Sequence, residues 1–184
     1  MWIYVARHGQ TQWNVDWKVC GRTDIPLTEV GIVQAQQLAQ AAVGLGITRI
    51  IASPMLRAQQ TAGAVAQRLN LSVSTDARLI EQNYGRCEGM YRLDPVFLEC
   101  KRNFATRYPG GESMLDLACR VYEFLDELPK KYPDETVLLV CHGGVMRSIR
   151  TYFENMTNEA YFGYSADNAK LACYEYPAPR TALE

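Results

Sequence analysis

His8 and His142 are the only two histidines of the chain, and each ends an apolar run and precedes a glycine. His8 follows Arg7, and His142 is followed directly by Gly143. In open α/β sheets, ligands bind at the carboxyl ends of the strands. A glycine at such a strand end lets backbone N–H groups approach an anion closely. The two settings therefore predict an anion-binding site built around a pair of imidazoles.

The arginines near these histidines suit phosphoryl chemistry. A phosphoryl group in transfer spreads negative charge over its equatorial oxygens, and a guanidinium group can meet two of those oxygens at once. Arg7 adjoins His8 in the chain, and Arg57 lies in the first turn of a predicted helix, whose N-terminus also favours an anion. Nearby guanidinium groups should also keep His8 neutral, the form in which a histidine attacks.

Six segments in a fixed order extend this pattern over most of the chain. They read ARHGQTQWN at 6–14, GRTDIPLT at 21–28, SPMLRAQQTA at 53–62, LIEQNYG at 79–85, YPGGES at 108–113 and VCHGGV at 140–145. Together they resemble the branch of the histidine phosphatase superfamily that carries the R-H-G signature and also contains the cofactor-dependent phosphoglycerate mutases. The resemblance implies an enzyme that needs no cofactor and no metal.

The resemblance also implies a role for several residues. His8 becomes the nucleophile that forms a phosphohistidine, and Glu81 the acid that protonates the leaving oxygen and later activates water. His142 and the N–H of Gly143 would stabilise the developing charge. Asn14 would donate to the phosphate, although a turn or helix cap is the alternative for this residue. The predicted catalytic residues are thus Arg7, His8, Arg57, Glu81 and His142; those predicted to bind phosphate are Arg7, His8, Asn14, Arg57, His142 and Gly143.

The sequence leaves alternatives for the identity of the acid and for the residues that contact the substrate. Glu88 and Glu112 are alternatives to Glu81 as the acid, but Glu88 is expected to hold the segment around it and Glu112 to order the loop before Ser113. Cys87 stands where many relatives carry tryptophan, which changes the leaving-group pocket. The candidate substrate-side residues are Cys20, Gly21, Thr23, Tyr84, Arg92 and Arg107. The alternative for Arg92 and Arg107 is that they are exposed surface charges without a role in binding.

Three activities compete. We expect a phosphomonoesterase acting on a small phosphorylated metabolite, because the chain has a short insert and no two adjacent arginines, which the longer mutases use to grip a second acidic group. A phosphoglycerate mutase is the first alternative. A phosphate-dependent binding or regulatory module with weak turnover is the second, and the presence of both His8 and Glu81 argues against it.

The composition excludes several classes. With 184 residues, 48% hydrophobic residues, 21% charged residues and a net charge of −1, the chain is typical of one globular domain, without the charge that nucleic acid or an anionic membrane would attract. No run is long enough to cross a membrane, and no signal peptide opens the chain. Six isolated cysteines indicate free thiols in the cytoplasm rather than disulfides or a zinc site. The oligomeric state is open, with a homodimer as one alternative.

Strand-like and helical runs alternate along the sequence. Strands are predicted at 2–6, 47–52, 71–75, 136–141 and 169–176, and their continuous apolar character is typical of parallel strands covered on both faces. We therefore expect a three-layer α/β fold with a mostly parallel, doubly wound sheet and helices on both faces. Residues 1–176 would form one domain, with an insert at about 82–112 over the carboxyl edge, and 177–184 a flexible tail.

Three helix starts are predicted from capping residues. Thr28 should cap a helix that reaches about Ala42, and Ser53 should cap a helix with Pro54 at its first position. Ser113 and the acidic residue three positions later form a capping box before a helix that ends at Pro129. The apolar face expected for this last helix consists of Leu115, Ala118, Val121, Tyr122, Leu125 and Leu128. A further apolar face after the second histidine consists of Val145, Ile149 and Phe153.

Overall fold

The fold is known from a computed structural model, which describes residues 1–176. A five-stranded sheet has the order β3-β2-β4-β1-β5. Its strands are β1 (Trp2–Arg7), β2 (Arg49–Ala52), β3 (Val73–Thr75), β4 (Val137–Cys141) and β5 (Leu171–Glu175). The helices are α1 (Gln12–Val15), α2 (Glu29–Ala41), α3 (Leu56–Leu69), α4 (Pro95–Arg102), α5 (Met114–Lys131), α6 (Gly143–Phe153) and α7 (Asn158–Gly163), with 3₁₀ turns at Ala77–Leu79 and Gly85–Cys87.

The sheet is mostly parallel. β1 pairs with β4, and β4 and β3 pair with β2, all in parallel, whereas the edge strand β5 runs antiparallel to β1. Arg7 is in register with Cys141, so the two histidines that follow these residues leave the sheet side by side. The three-layer α/β prediction is confirmed, with each predicted strand found within two residues of its expected bounds.

Each face of the sheet buries an apolar cluster. On one face, Ile3 and Val5 of β1 pack with Val121 and Leu125 of α5 and with Ile149 of α6. On the other face, the small residues of α2 and α3 approach Ala6, Leu138 and Val140, which lets these helices pack closely. All of these side chains are buried, as the continuous apolar strands require. Helices therefore pack on both faces of the sheet and hold the carboxyl ends of its strands in place.

Two predicted helix boundaries are wrong. α3 begins at Leu56 with Met55 as its N-cap, so Ser53 does not cap it. The Ser53 hydroxyl is used elsewhere, because it lies 2.8 Å from Nε2 of His142. α5 continues through Pro129 to Lys131, since a proline in the last turn removes only one N–H bond and the N–H of Tyr132 still donates to Leu128.

The caps of α2 and α5 are confirmed, but the buried face of α5 is shifted. The Thr28 side chain accepts from Gly31, and Ser113 and Asp116 form the capping box. Leu115 is 57% exposed, and the face that packs on the sheet instead consists of Met114, Leu117, Val121, Phe124, Leu125 and Leu128. The difference arises because both the predicted set and the observed set have the three- and four-residue spacing of an apolar helix face, and the two sets share Val121, Leu125 and Leu128.

Residues 82–112 lie over the carboxyl edge and contain α4, which the sequence analysis did not predict. Asp94 caps α4 by accepting from Val96, and Pro95 occupies its first position. Cys87, Phe97 and Tyr108 of the segment pack with Val19 in a small apolar cluster. The predicted tail, 177–184, lies outside the described residues. Within residues 1–176, no helix has the length and apolar character needed to span a membrane.

Candidate active site

A cavity of about 270 Å³ opens at the carboxyl edge of the sheet, beneath the 82–112 segment. At one end it is lined by Arg7, His8, Asn14, Glu81 and Gly143. Its volume approaches that of small-molecule sites, so it can hold more than a phosphate ion. The carboxyl ends of β1 and β4 thus meet a cavity at the place where an open α/β sheet binds its ligands.

His8 is held as a neutral imidazole with one free nitrogen. Its Nδ1 lies 2.7 Å from the carbonyl oxygen of Gly9, and because a carbonyl can only accept, Nδ1 carries the proton. Nε2 therefore keeps its lone pair. Burial lowers the pKa of His8 well below 6.5, and the charges of Arg7 and Arg57 lower it further. Burial, rather than the two guanidinium groups named from the sequence, is the largest cause.

Arg7 offers an unused donor to the same cavity. Its Nη1 donates to the carbonyl of Ala166 at 2.8 Å, whereas its buried Nε has no hydrogen-bond partner. Burial, and to a lesser extent the charge of Arg92, lowers the pKa of Arg7 to about 10, so the group is still a cation at neutral pH. A buried unpartnered N–H next to His8 is costly unless an anion accepts from it.

Arg57 and His142 form a buried pair with Ser53. Nε of Arg57 donates to Nδ1 of His142 at 3.2 Å. Nε2 of His142 must then carry the ring proton and donate to the Ser53 hydroxyl. Burial and the charge of Arg57 lower the pKa of His142 well below 6.5, which agrees with a neutral ring. The His8 and His142 ring centroids are 5.1 Å apart.

This arrangement changes what can be expected of Arg57 and His142. Arg57 also donates to the carbonyls of Thr23 and Gly21, at 3.0 and 2.7 Å, and it is fully buried. Neither Arg57 nor His142 is among the residues that line the cavity. The charge of Arg57 acts on His8, and the His142 ring lies next to the His8 ring. Direct contact of these two side chains with the phosphoryl oxygens stays a prediction.

Glu81 is fixed by the backbone at the start of α6. Its Oε2 accepts from the N–H of Gly144 at 3.0 Å, and its Oε1 accepts from the N–H of Gln82 at 2.9 Å. The carboxyl group is 5% exposed and lines the cavity that contains His8. Of the three candidate acids, Glu81 is the one that lines the same cavity as His8.

The carboxylates of Glu88 and Glu112 accept hydrogen bonds that stabilise loops of the protein. Glu88 accepts from the backbone N–H groups of Arg22 and Thr23, and so fixes the 21–23 loop. Glu112 accepts from Arg120 and from the N–H of Asn83, and these contacts keep the pKa of its carboxyl below the usual range despite burial. Both placements match the structural roles expected for them.

Asn14 has the capping role that was the alternative for it. Its Oδ1 accepts from the N–H of Thr11 at 3.0 Å and closes the capping box of α1. Nδ2 of Asn168 also donates to this oxygen, and to the carbonyl of His8. Asn14 also lines the cavity, and donation from its amide to a phosphate stays a prediction.

The candidate substrate-side residues divide into two groups. Cys20, Tyr84 and Arg92 line the cavity, whereas Gly21 and Thr23 do not, and serve instead as acceptors for Arg57. Arg107 lies outside the cavity because its exposed side chain pairs with Asp116 at 2.9 Å. Cys87 is buried in the cluster beneath α4.

Sequence reasoning missed two cations of the cavity, Lys101 of α4 and Arg147 of α6. Arg147 was missed because it lies five residues after His142, more than one helical turn from the N-terminus of α6, where the anion site was expected. Lys101 could have been found only by predicting α4 from its Asp94–Pro95 start. The chain lacks adjacent arginines, but Arg92, Lys101 and Arg147 from separate parts of the chain line the same cavity.

The described part of the chain contains no group of three or more His, Cys, Asp or Glu side chains arranged to hold a metal ion.

Comparisons with known proteins agree with the geometry. Residues 3–184 match the model of the histidine phosphatase superfamily (branch 1). A "Probable phosphoglycerate mutase GpmB" of Yersinia pestis is 38% identical over 148 residues, which are 77% of this chain and 69% of that protein. The structure of the mycobacterial glucosyl-3-phosphoglycerate phosphatase matches with a TM-score of 0.83 and 27% identity over 94% of this chain and 88% of that one. A further structure, described as mycobacterial hydrolase 1, matches with a TM-score of 0.84 and 27% identity over 94% of this chain and 90% of its own. The chain belongs to the histidine phosphatase superfamily.

Proposed function

We propose that the protein is a metal-independent phosphomonoesterase that transfers the phosphoryl group of a small metabolite to Nε2 of His8 and then to water. The observation that carries the proposal is the state of His8, a buried neutral imidazole whose free nitrogen lies in the same cavity as an unpartnered Arg7 N–H. A neutral ring is the form that can attack phosphorus.

The remaining residues fit the two half-reactions. In the first, Nε2 of His8 forms a bond to phosphorus, the P–O bond to the alcohol breaks, and Glu81 gives its proton to the departing oxygen. In the second, Glu81 takes a proton from water, the water oxygen forms a bond to phosphorus, the P–N bond to His8 breaks, and inorganic phosphate is released. Arg7, Asn14 and the N-terminus of α6 at Gly143 face the equatorial oxygens, and Arg57 acts through its charge and through His142.

Phosphoglycerate mutase is the second candidate, favoured by the 38% identity to the Yersinia pestis relative. In a mutase the product must stay bound and recover the phosphoryl group from His8. We favour hydrolysis because the insert is short and because the phosphatase from mycobacteria shares the fold over 94% of this chain.

The test is a set of small phosphomonoesters, together with an aryl phosphate, assayed for free phosphate in excess EDTA with the wild type and His8→Ala. The proposal expects phosphate release that survives chelation and vanishes in the variant. Loss of turnover in EDTA would exclude the metal-independent mechanism. With 3-phosphoglycerate, rapid formation of the 2-isomer with little free phosphate would establish the mutase instead.

A further inference from the structure

Asn168, in the loop between α7 and β5, contacts two residues of the cavity without lining the cavity itself. Its Nδ2 lies 2.8 Å from the carbonyl oxygen of His8 and 3.3 Å from Oδ1 of Asn14. Both of these oxygens are acceptors, so the two hydrogens of the Asn168 amide can be donated to them. The side chain thus joins the loop before the last strand to the residues that follow the first strand.

The contact with His8 holds one side of a peptide group whose other side is also held. The N–H of Gly9, in the same peptide group, donates to Oγ1 of Thr61 at 3.0 Å. Because a peptide group is planar, Asn168 and Thr61 together fix the orientation of the peptide between residues 8 and 9. The next carbonyl along the chain, that of Gly9, is the one that accepts from Nδ1 of His8. Asn168 therefore helps to hold the acceptor that leaves Nε2 of His8 without a proton.

The contact with Asn14 selects one orientation of its amide. Oδ1 of Asn14 accepts from the N–H and the hydroxyl of Thr11, at 3.0 and 3.2 Å, as well as from Asn168. An amide turned by 180° would set its own N–H groups against these donors. The three contacts therefore hold Nδ2 of Asn14 on the side of the amide away from Thr11 and Asn168.

The backbone of the loop around Asn168 fixes Arg7 as well. The N–H of Ala169 donates to the carbonyl of Arg7 at 3.0 Å, and Nη1 of Arg7 donates to the carbonyl of Ala166. Ala169 has a φ of 56°, in the left-handed region that is unfavourable for a residue with a Cβ atom. Strained conformations of this kind persist where surrounding contacts hold them, and they concentrate at functional sites.

We propose that Asn168 is a positioning residue for the phosphoryl site. Through the carbonyl of His8 it keeps the ring in the tautomer that can attack, and through Oδ1 it orients the amide of Asn14 for donation to the phosphoryl oxygens. Asn168 does not touch the substrate and acts through these two residues. The inference rests on the proposed function, because that function is what gives His8 and Asn14 their roles.

The tautomer of His8 gives the first test. The chain has two histidines, so ¹⁵N spectra of labelled imidazoles contain two rings, which His8→Ala assigns. In Asn168→Leu, which has a side chain of similar volume but no donor, the two nitrogen shifts of His8 should move towards each other as the other tautomer becomes populated. The shifts of His142 should stay. Asn155→Leu is the matched control, because Asn155 is exposed and follows the C-terminal end of α6.

The binding of inorganic phosphate, measured by calorimetric titration, gives the second test. Asn14→Ala should weaken phosphate binding about tenfold, as expected for the loss of one hydrogen bond to a charged group. Asn168→Leu should weaken it as well. The double variant should lose clearly less than the product of the two single losses, because Asn168 acts through Asn14. Asn155→Leu should bind phosphate as the wild type does.

A merely structural role for Asn168 predicts a lower thermal midpoint with both readouts unchanged. Wild-type His8 shifts in Asn168→Leu, or losses of phosphate affinity that multiply in the double variant, would therefore overturn the inference. Should Asn168→Leu fail to fold, Asn168→Ala provides the same two comparisons. Neither measurement requires turnover. An absence of phosphate release from every ester would contradict the proposed function, and the two readouts would still decide the role of Asn168.

Discussion

At the scale of single residues, the reactivity of His8 follows from what surrounds it. The Gly9 carbonyl places the proton on Nδ1, and burial with two adjacent guanidinium groups keeps the ring uncharged at neutral pH. A bound phosphate dianion reverses part of this effect, since it favours the imidazolium. The free protein is therefore already in the attacking form when the substrate arrives.

Replacing Glu81 by glutamine tests its role as the proton donor. Glu81→Gln keeps the shape of the side chain but cannot donate a carboxyl proton, so esters with poor leaving groups should lose about 10²–10⁴-fold in kcat/KM. Aryl phosphates with good leaving groups should lose much less in the first step. Steady-state kinetics over a leaving-group series give the comparison, and Glu88→Gln is the matched control. An equal loss for all leaving groups would remove Glu81 from this role.

The sequence predicted the site residues that lie in recognisable motifs, and missed contacts and cavity residues that lie in none. Arg7, His8 and His142 lie at the ends of the neighbouring parallel strands β1 and β4, so their meeting follows from the sheet. Glu81 lies in a sequence motif, but it follows the 3₁₀ turn after β3. The partnership of Ser53 with His142 was missed because a serine before proline is equally typical of a helix cap. Lys101 lies in no such motif, and only the packing of α4 over the edge reveals it.

At the scale of elements, the N-terminus of α6 fixes the position of the proposed acid, Glu81. The N–H of Gly144 holds Glu81, and a Cβ atom at this position would lie 2.5 Å from Glu81 Oε1. A methyl group there must displace the carboxylate, whereas an added Cβ at Gly63 in α3 would meet nothing within 4 Å. The absence of a side chain at residue 144 is therefore a requirement of the site.

We expect Gly144→Ala to lower kcat/KM for esters with poor leaving groups at least tenfold, because the proton donor moves away from the leaving oxygen. The matched control is Gly63→Ala within α3, where an added Cβ meets nothing within 4 Å. This control should keep full activity and gain slightly in stability from better helix propensity. Full activity in Gly144→Ala, with an unchanged thermal midpoint, would show that the position of Glu81 is not critical.

The helices whose predicted bounds or buried faces differ from the observed ones are those that depend on tertiary contacts. α3 starts two residues later than Ser53 and Pro54 suggest, since the Ser53 hydroxyl contacts His142. α5 turns Met114 rather than Leu115 inwards, a choice that local periodicity leaves open. α4 has a recognisable Asp-Pro start, but only eight residues follow the cap.

At the scale of the whole molecule, the two buried histidines make stability depend on pH. Both have pKa values well below 6.5 in the folded state and near 6.5 in the unfolded chain. Above pH 6.5 neither state binds the extra proton, and the stability is complete. As the pH falls below 6.5, the unfolded chain binds protons that the folded protein does not, so stability is lost.

The free energy of unfolding should therefore fall by up to about 1.4 kcal/mol per pH unit for each histidine as the pH decreases from 6.5 to 5. Urea unfolding at several pH values measures this slope. His8→Asn removes one titrating group and should roughly halve it. Carboxylates titrate in the unfolded chain near pH 4 and contribute little in this window. A flat profile between pH 6.5 and 5 would show that the histidines are not held neutral.

The sheet topology was the part of the molecule most accessible from sequence. Continuous apolar strands separated by helical runs leave few alternatives to a three-layer parallel sheet, and both histidines then fall at one edge. The cavity was not accessible, because its wall combines the ends of β1 and β4, the 82–112 segment and α6, and the distances between these parts are set by packing.

The formation of a phosphohistidine at His8 is the central claim, and one measurement tests it most directly. Wild type, Glu81→Gln and His8→Ala are mixed with an aryl phosphate, quenched with base within the first turnover, and analysed by intact mass and peptide mapping. The account predicts one base-stable, acid-labile phosphoryl group on His8, at higher occupancy in Glu81→Gln because the base that activates water is missing, and none in His8→Ala. A phosphoryl group that persists in His8→Ala, or that maps to one of the six cysteines, would contradict it.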